Sequence, residues 1–214
     1  MEISKPTDAE IWDRFRNGDN MAFSLIYSEN SKRLYLYGLK FTKNQTIIED
    51  AIQDLFSDFI RNRKTLGATY NIQFYLIKSF KRRLLRALEQ EKRYNLKEKN
   101  EENVFEITYS IEHDIILAEE ANQKLKYLQK ALNNLTPRQK EAVYLKFTEG
   151  LEYEEISEMM SMSVESCRNL ICRAIKILKE SLQMVGSISL FLLFTHLKPY
   201  KNLPITPGLN FGYL

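Results

Sequence analysis

Three sets of side chains in this sequence have the types and spacing to do chemistry, and the chemistry is binding rather than bond-making. Asp50, Asp54 and Asp58 recur every four residues with Gln53 beside them, which on a helix lines the carboxylates along one side. Like charges at that spacing destabilise an isolated helix by about 0.2–0.5 kcal/mol each. A basic partner surface would relieve the repulsion; a plain solvated face is the other reading. Lys78, Lys81, Arg82, Arg83 and Arg86 are interleaved with Phe74, Tyr75, Ile77 and Phe80. Cations that follow phosphates, beside rings that stack on bases at roughly 1–3 kcal/mol each, suit single-stranded nucleic acid. The other reading is a basic amphipathic helix whose rings all lie in a core. Finally, Glu165, Ser166, Asn169, Cys172, Arg173 and Lys176 share one side of a helical wheel, while Val164, Cys167, Ile171, Ala174, Ile175, Leu178 and Leu182 share the other.

The elements that must position the third set run from Leu135 to Leu182. Thr136-Pro137-Arg138-Gln139 is a helix start: a threonine cap, proline at the first helical position, and a glutamine that completes a capping box. That helix runs to Gly150, a stop that tolerates left-handed dihedrals. A short helix follows from Tyr153 to Met160, burying Ile156, Met159 and Met160. Ser161-Met162-Ser163 then turns the chain, with Ser163 as the cap of a helix from Val164 to about Leu182. A helix, a tight turn and a second helix with a polar outer face is the plan of a helix-turn-helix that reads the major groove. Where glycine is expected before the recognition helix stands Ser161, at a cost of about 1 kcal/mol if its φ is positive.

Further upstream, Thr7 or Asp8 caps a helix with Ile11, Trp12 and Phe15, and Asn17-Gly18-Asp19-Asn20 closes it. The next helix carries Ala22, Phe23, Ile26 and Tyr27 and continues through Leu39. A third, within Asn44 to Arg63, has the apolar face Ile48, Ala51, Ile52, Leu55, Phe56 and Phe59. Thr65 to Asn71, with Gly67, reads as a loop before a helix from about Ile72 to Gln90. From Lys78 to Arg93 there are seven basic and two acidic residues, so a formal net charge of only +3 over 214 residues hides a strongly basic patch.

Seven glycines, five prolines and recurrent three-to-four-residue apolar spacing predict an all-α protein: two small helical domains joined by a flexible linker, the C-terminal one a helix-turn-helix. The boundaries are 1–95 for the first domain, 96–112 for a charged linker, 113–183 for the second domain and 184–214 for an apolar, then irregular, tail. The apolar run Met184 to Leu197 is shorter than the roughly 20 residues a membrane span needs and suits packing or a partner. Cys167 and Cys172 fall on different faces of one helix, which suits neither a disulfide nor a metal site and fits a reducing cytoplasm. The N-terminus lacks the apolar core of a signal peptide. With no Gly-rich phosphate loop, no nucleophile–base set and only His113 and His196 as histidines, the sequence predicts no enzyme, no cofactor and no small-molecule substrate.

Leu135-Thr136-Pro137-Arg138-Gln139, Tyr153-Glu154-Glu155-Ile156, Ser163-Val164-Glu165-Ser166-Cys167-Arg168 and Arg173-Ala174 resemble the C-terminal DNA-binding domain of bacterial RNA polymerase sigma factors, in the compact extracytoplasmic-function (ECF) variety. Gly18-Asp19, Ala22-Phe23 and Ile26-Tyr27 resemble the opening of the sigma N-terminal domain. Asp50-Ala51-Ile52-Gln53-Asp54-Leu55-Phe56 resembles the segment that docks on the clamp helices of the largest polymerase subunit. The sequence departs at Leu170, where many of these proteins have arginine, and at Cys167, where they have a β-branched residue.

The resemblance covers roughly Asp19 to Leu182. It implies core RNA polymerase and promoter DNA, duplex and melted single strand, as partners, with an anti-sigma factor as a possible further one. Asp50, Gln53 and Asp54 would dock on polymerase. Tyr75, Lys78, Lys81, Arg82, Arg83 and Arg86 would meet the −10 element, next to a 65–71 loop that in the family holds a flipped base. Glu165, Ser166, Arg168, Asn169, Cys172, Arg173 and Lys176 would meet the −35 element. A stand-alone helix-turn-helix regulator of duplex DNA is the alternative, and it needs neither the acidic helix nor the basic aromatic one. A helical interaction protein anchored through its apolar tail is a further rival; it would lack salt-dependent affinity for DNA.

Overall fold

The computed structural model describes residues 6–94, 105–106 and 129–183, and among them every regular element is a helix. The expected linker (apart from Phe105 and Glu106), the helix expected from Ile115 to Leu128 and the apolar tail lie outside the described residues. The chain divides into two compact units, the first holding the helices up to Tyr94 and the second the helices after residue 128.

In the first unit, α1 spans Asp8–Arg16. Thr7 caps it: its hydroxyl accepts from Glu10 N at 3.3 Å, and Glu10 Oε2 accepts from Thr7 N at 2.7 Å. The chain reverses through Gly18 into Asp19, whose carboxylate accepts from Met21 N and Ala22 N at 2.8 and 3.2 Å and so starts α2, Asn20–Gly38. Next come α3, Gln45–Asn62, a 3₁₀ turn over Arg63–Thr65, and α4, Ile72–Tyr94. α4 runs one turn past its expected end at Gln90. Asn44 Nδ2 donates to Glu91 Oε1 at 3.0 Å, which fastens that last turn beside the start of α3.

The apolar face expected on α3 is the buried one: Ile48, Ala51, Ile52, Leu55, Phe56 and Phe59 are all inside, where full burial of each large side chain contributes about 1.5–3 kcal/mol. They meet Leu76, Ile77, Phe80, Leu84 and Leu88 of α4 and Ile26, Leu34 and Tyr37 of α2. Gly38 makes the close approach possible, since a Cβ there would lie 2.7 Å from Ile48 Cγ2 and 3.1 Å from Phe80 Cζ. α1 closes the assembly with Trp12, whose buried indole N–H donates to Gly67 O at 2.8 Å. The indole therefore fills the core and fixes the 65–71 loop at once. Asp8 fastens the far side of that loop, its Oδ2 accepting from Ile72 N at 2.8 Å at the head of α4.

In the second unit, a helical stretch over residues 129–133 precedes α5, Pro137–Phe147, α6, Tyr153–Met159, and α7, Val164–Gln183. Thr136 and Gln139 form the expected capping box, and Gly150 ends the α5 segment with φ 71°. α5 is the central helix: residues 139–145 are all buried. Leu132, Leu135, Val143, Leu145, Leu151, Ile156, Cys167, Ile171, Ala174 and Leu178 make the core. Of the stripe expected on α7, Val164 and Ile175 are half-exposed. Within the expected linker, Phe105 is buried edge-on to Tyr144, with ring centroids 5.6 Å apart, and Glu106 pairs with Lys140 Nζ at 3.1 Å.

Candidate nucleic-acid interface

The turn between α6 and α7 sets the angle of the recognition helix. Ser161 adopts φ 52°, the left-handed conformation that its place in the turn predicted. Ser163 caps α7, its Oγ accepting from Ser166 N at 3.1 Å. Arg138, 22 residues upstream on α5, donates through Nη2 to Met160 O at 2.9 Å and pins the turn to the central helix. No local signal in the sequence announces that reach.

With α7 held this way, Glu165, Ser166, Arg168, Asn169, Cys172, Arg173 and Lys176 are all exposed, while Cys167, Ile171, Ala174 and Leu178 are buried. The two thiols are free and lie on opposite faces, and burial pushes the Cys167 thiol above its ordinary pKa. Leu170 is half-exposed at the edge of the stripe. The face offers cations, hydroxyl and amide groups on a rigid helix, which is the chemistry that grips phosphates and base edges. Lys176 has Glu180 at 3.9 Å one turn on, both well exposed. A pair of that kind is worth little and yields to a phosphate.

On α3 the candidate docking residues Asp50, Gln53 and Asp54 are exposed, opposite the buried face. Asp58, the next carboxylate in the row, is turned to the protein's own use: Oδ1 takes Arg61 at 3.3 Å and Oδ2 takes Arg83 at 2.7 Å. Two candidates on α4 also have partners inside the protein. Arg83 is half-exposed and pairs with Asp58. Tyr75 is half-buried in a ring cluster, 5.1 Å from Trp12 and 5.4 Å from Phe59 between centroids. Both placements have one cause: α3 and α1 pack on that side of α4, which the spacing of α4 alone does not reveal. Lys78, Arg82 and Arg86 are exposed and Lys81 is half-exposed. Lys78 Nζ lies 5.6 Å from the centre of the Phe74 ring. The loop before α4 holds Tyr70 almost fully in solvent, at 87% exposure.

Residues 125–178, a quarter of the chain, match the family described as sigma-70, region 4. No curated protein matches the sequence. Among solved structures, CnrH in complex with the cytosolic domain of CnrY is similar over 84% of this chain and 99% of that one, with TM-score 0.54 and 16% identity. The sigma factor RpoE in complex with the anti-sigma factor NepR from Bartonella quintana is similar over 77% of this chain and 96% of that one, with TM-score 0.51 and 19% identity. The class of the protein follows: its fold is similar to that of the sigma factor RpoE, and every regular element among its described residues is a helix. Its second unit carries a sigma-70 region 4 domain, as the resemblance of the helix-turn-helix segment implied.

Proposed function

We propose that the chain is an ECF-type sigma factor that binds core RNA polymerase and directs initiation at promoters read through −10 and −35 elements. The observation that carries this reading is the exposed face of α7, seven candidate contact residues on one side of a well-seated helix inside the sigma-70 region 4 match. Asp50, Gln53 and Asp54 on α3 supply an acidic surface for polymerase. Lys78, Lys81, Arg82, Arg83 and Arg86 on α4, with Tyr75, supply a basic surface for the −10 region. Glu165, Ser166, Arg168, Asn169, Cys172, Arg173 and Lys176 meet the −35 element in the major groove.

Both solved relatives were captured with a partner, one of them named as an anti-sigma factor. That supports a similar partner here. Among the described residues no helix is long and apolar enough to cross a membrane. The test is transcription by core polymerase from a promoter library, with and without the purified chain. Specific start sites that appear only with the chain are the expected result. Duplex binding with no effect on core polymerase would favour a stand-alone regulator.

A further inference from the structure

Two cations flank one ring at the head of α6. Tyr153 is the first residue of α6 and is half-buried. Lys146 Nζ lies 4.7 Å from the centre of its ring and the Arg168 guanidinium carbon 5.3 Å. Both distances fall inside the range where a cation is drawn to an aromatic face. Lys146 is fixed from the other side as well, donating to Leu151 O and to Glu152 Oε2, each at 3.0 Å. It therefore ties the end of α5, the loop and the head of α6 into one joint.

Arg168 is placed differently. It projects from α7, is more than half exposed, and has only a long 3.5 Å contact to Glu154 Oε1, itself well exposed. An arginine on a helix surface normally samples many rotamers, and ordering it costs up to about 2 kcal/mol on binding. A guanidinium resting on a ring loses much of that freedom beforehand and keeps its N–H edges available for a phosphate or a guanine.

From this we infer that Tyr153 is a positioning residue of the DNA face: its ring seats Arg168 in the orientation that meets duplex DNA, while the loose Glu154 contact is surrendered on binding. The inference rests on the α7 face being the one that meets duplex, and the experiment separates the two. A duplex is enriched from a randomised library by the full-length wild-type chain with core polymerase, and a scrambled duplex of equal composition serves as reference. Affinity of the full chain for both is then measured for Tyr153→Phe, Tyr153→Leu, Arg168→Ala and Arg173→Ala, and for Tyr153→Leu combined with each arginine change. Thermal unfolding is recorded for every variant.

Tyr153→Phe keeps the ring and is expected to bind as wild type. Tyr153→Leu is expected to weaken binding to the enriched duplex about two- to fivefold with an unchanged melting temperature. The decisive result is coupling: Tyr153→Leu adds nothing further to Arg168→Ala, yet multiplies with Arg173→Ala. Full additivity with both arginines, or an effect of Tyr153→Leu that tracks a lower melting temperature, overturns the positioning role and leaves the DNA face standing. If neither Arg168→Ala nor Arg173→Ala weakens binding, the DNA face itself fails and the role of Tyr153 falls with it.

Discussion

Arg83 on α4 donates to the Asp58 carboxylate on α3 across 2.7 Å, and each side chain is 31% exposed. The pair joins the helix proposed to dock on polymerase to the helix proposed to face melted DNA. Arg82, one position earlier, is exposed. Arg83→Ala is expected to cost about 1 kcal/mol, a modest figure because both groups are partly solvated and screened. Arg82→Ala is expected to leave stability unchanged and to slow open-complex formation. Thermal melts and permanganate footprinting of the two single variants check this. A melting temperature that falls with Arg82→Ala and not with Arg83→Ala would reverse the assignment.

Gly38, at the end of α2, faces Ile48 of α3 and Phe80 of α4. Alanine there gains up to about 1 kcal/mol of helix propensity. Its methyl group would sit 2.7 Å from Ile48 Cγ2 and 3.1 Å from Phe80 Cζ, well inside van der Waals contact, and overpacking of a tight core costs typically 1–3 kcal/mol. The clash outweighs the propensity, so Gly38→Ala is expected to destabilise the first unit by about 1–2 kcal/mol in chemical denaturation. Ile48→Ala removes both branches that the new methyl meets. Combined with Gly38→Ala it should be less destabilised than the sum of the two single changes.

How much of this could be read beforehand depended on how local the cause is. The six buried positions of α3 follow from a 3.6-residue period, and all six are inside. The capping box at Thr136 follows from residues three apart, and of the two caps open at the first helix, Thr7 or Asp8, Thr7 is the one used. Even the strained Ser161 was visible, because a helix-turn-helix demands a left-handed residue where no glycine stands. By contrast, the Asp58 partner of Arg83 and the Trp12 and Phe59 neighbours of Tyr75 were not legible, because they lie on other helices. The same holds for Arg138 reaching Met160 and for Phe105, which sits in a charged stretch that carries no apolar period yet packs on Tyr144. Periodicity says which face of a helix is buried; it does not say which neighbour arrives.

Asp19 links the first two helices and carries a pH signature. The Arg14 side chain, hydrogen-bonded to its carboxylate, is the main cause of a pKa below the usual carboxylate value, and the Ala22 N–H adds to it. The folded state therefore favours the ionised form. Near the ordinary carboxylate pKa of about 3.9 the unfolded chain binds the extra proton. The contribution is thus fully present above about pH 4 and is lost as pH falls through the lower folded value. Asp19→Asn keeps a capping oxygen but not the charge. It is expected to be less stable than wild type at pH 7, with the difference closing below about pH 4. Denaturation midpoints measured across that range check the sign; a gap that widens in acid would contradict it.

The two thiols of α7 provide a direct readout of which side of that helix faces outward and what covers it. Cys172 is exposed among the candidate contacts, and Cys167, five residues before it, is fully buried with its thiol pushed above the ordinary pKa. Thiolate is the reactive form, so burial and a raised pKa both slow Cys167. A maleimide is expected to modify Cys172 within minutes in the native protein and Cys167 only in denaturant. The modified Cys172 places a bulky group where the major groove would lie, so the alkylated chain should lose duplex affinity at least tenfold, roughly 1.4 kcal/mol or more. Bound duplex should in turn slow the labelling of Cys172, as mass spectrometry of the peptide spanning both cysteines would show. Labelling of Cys172 at an unchanged rate under a saturating duplex would mean that DNA does not cover this face of α7.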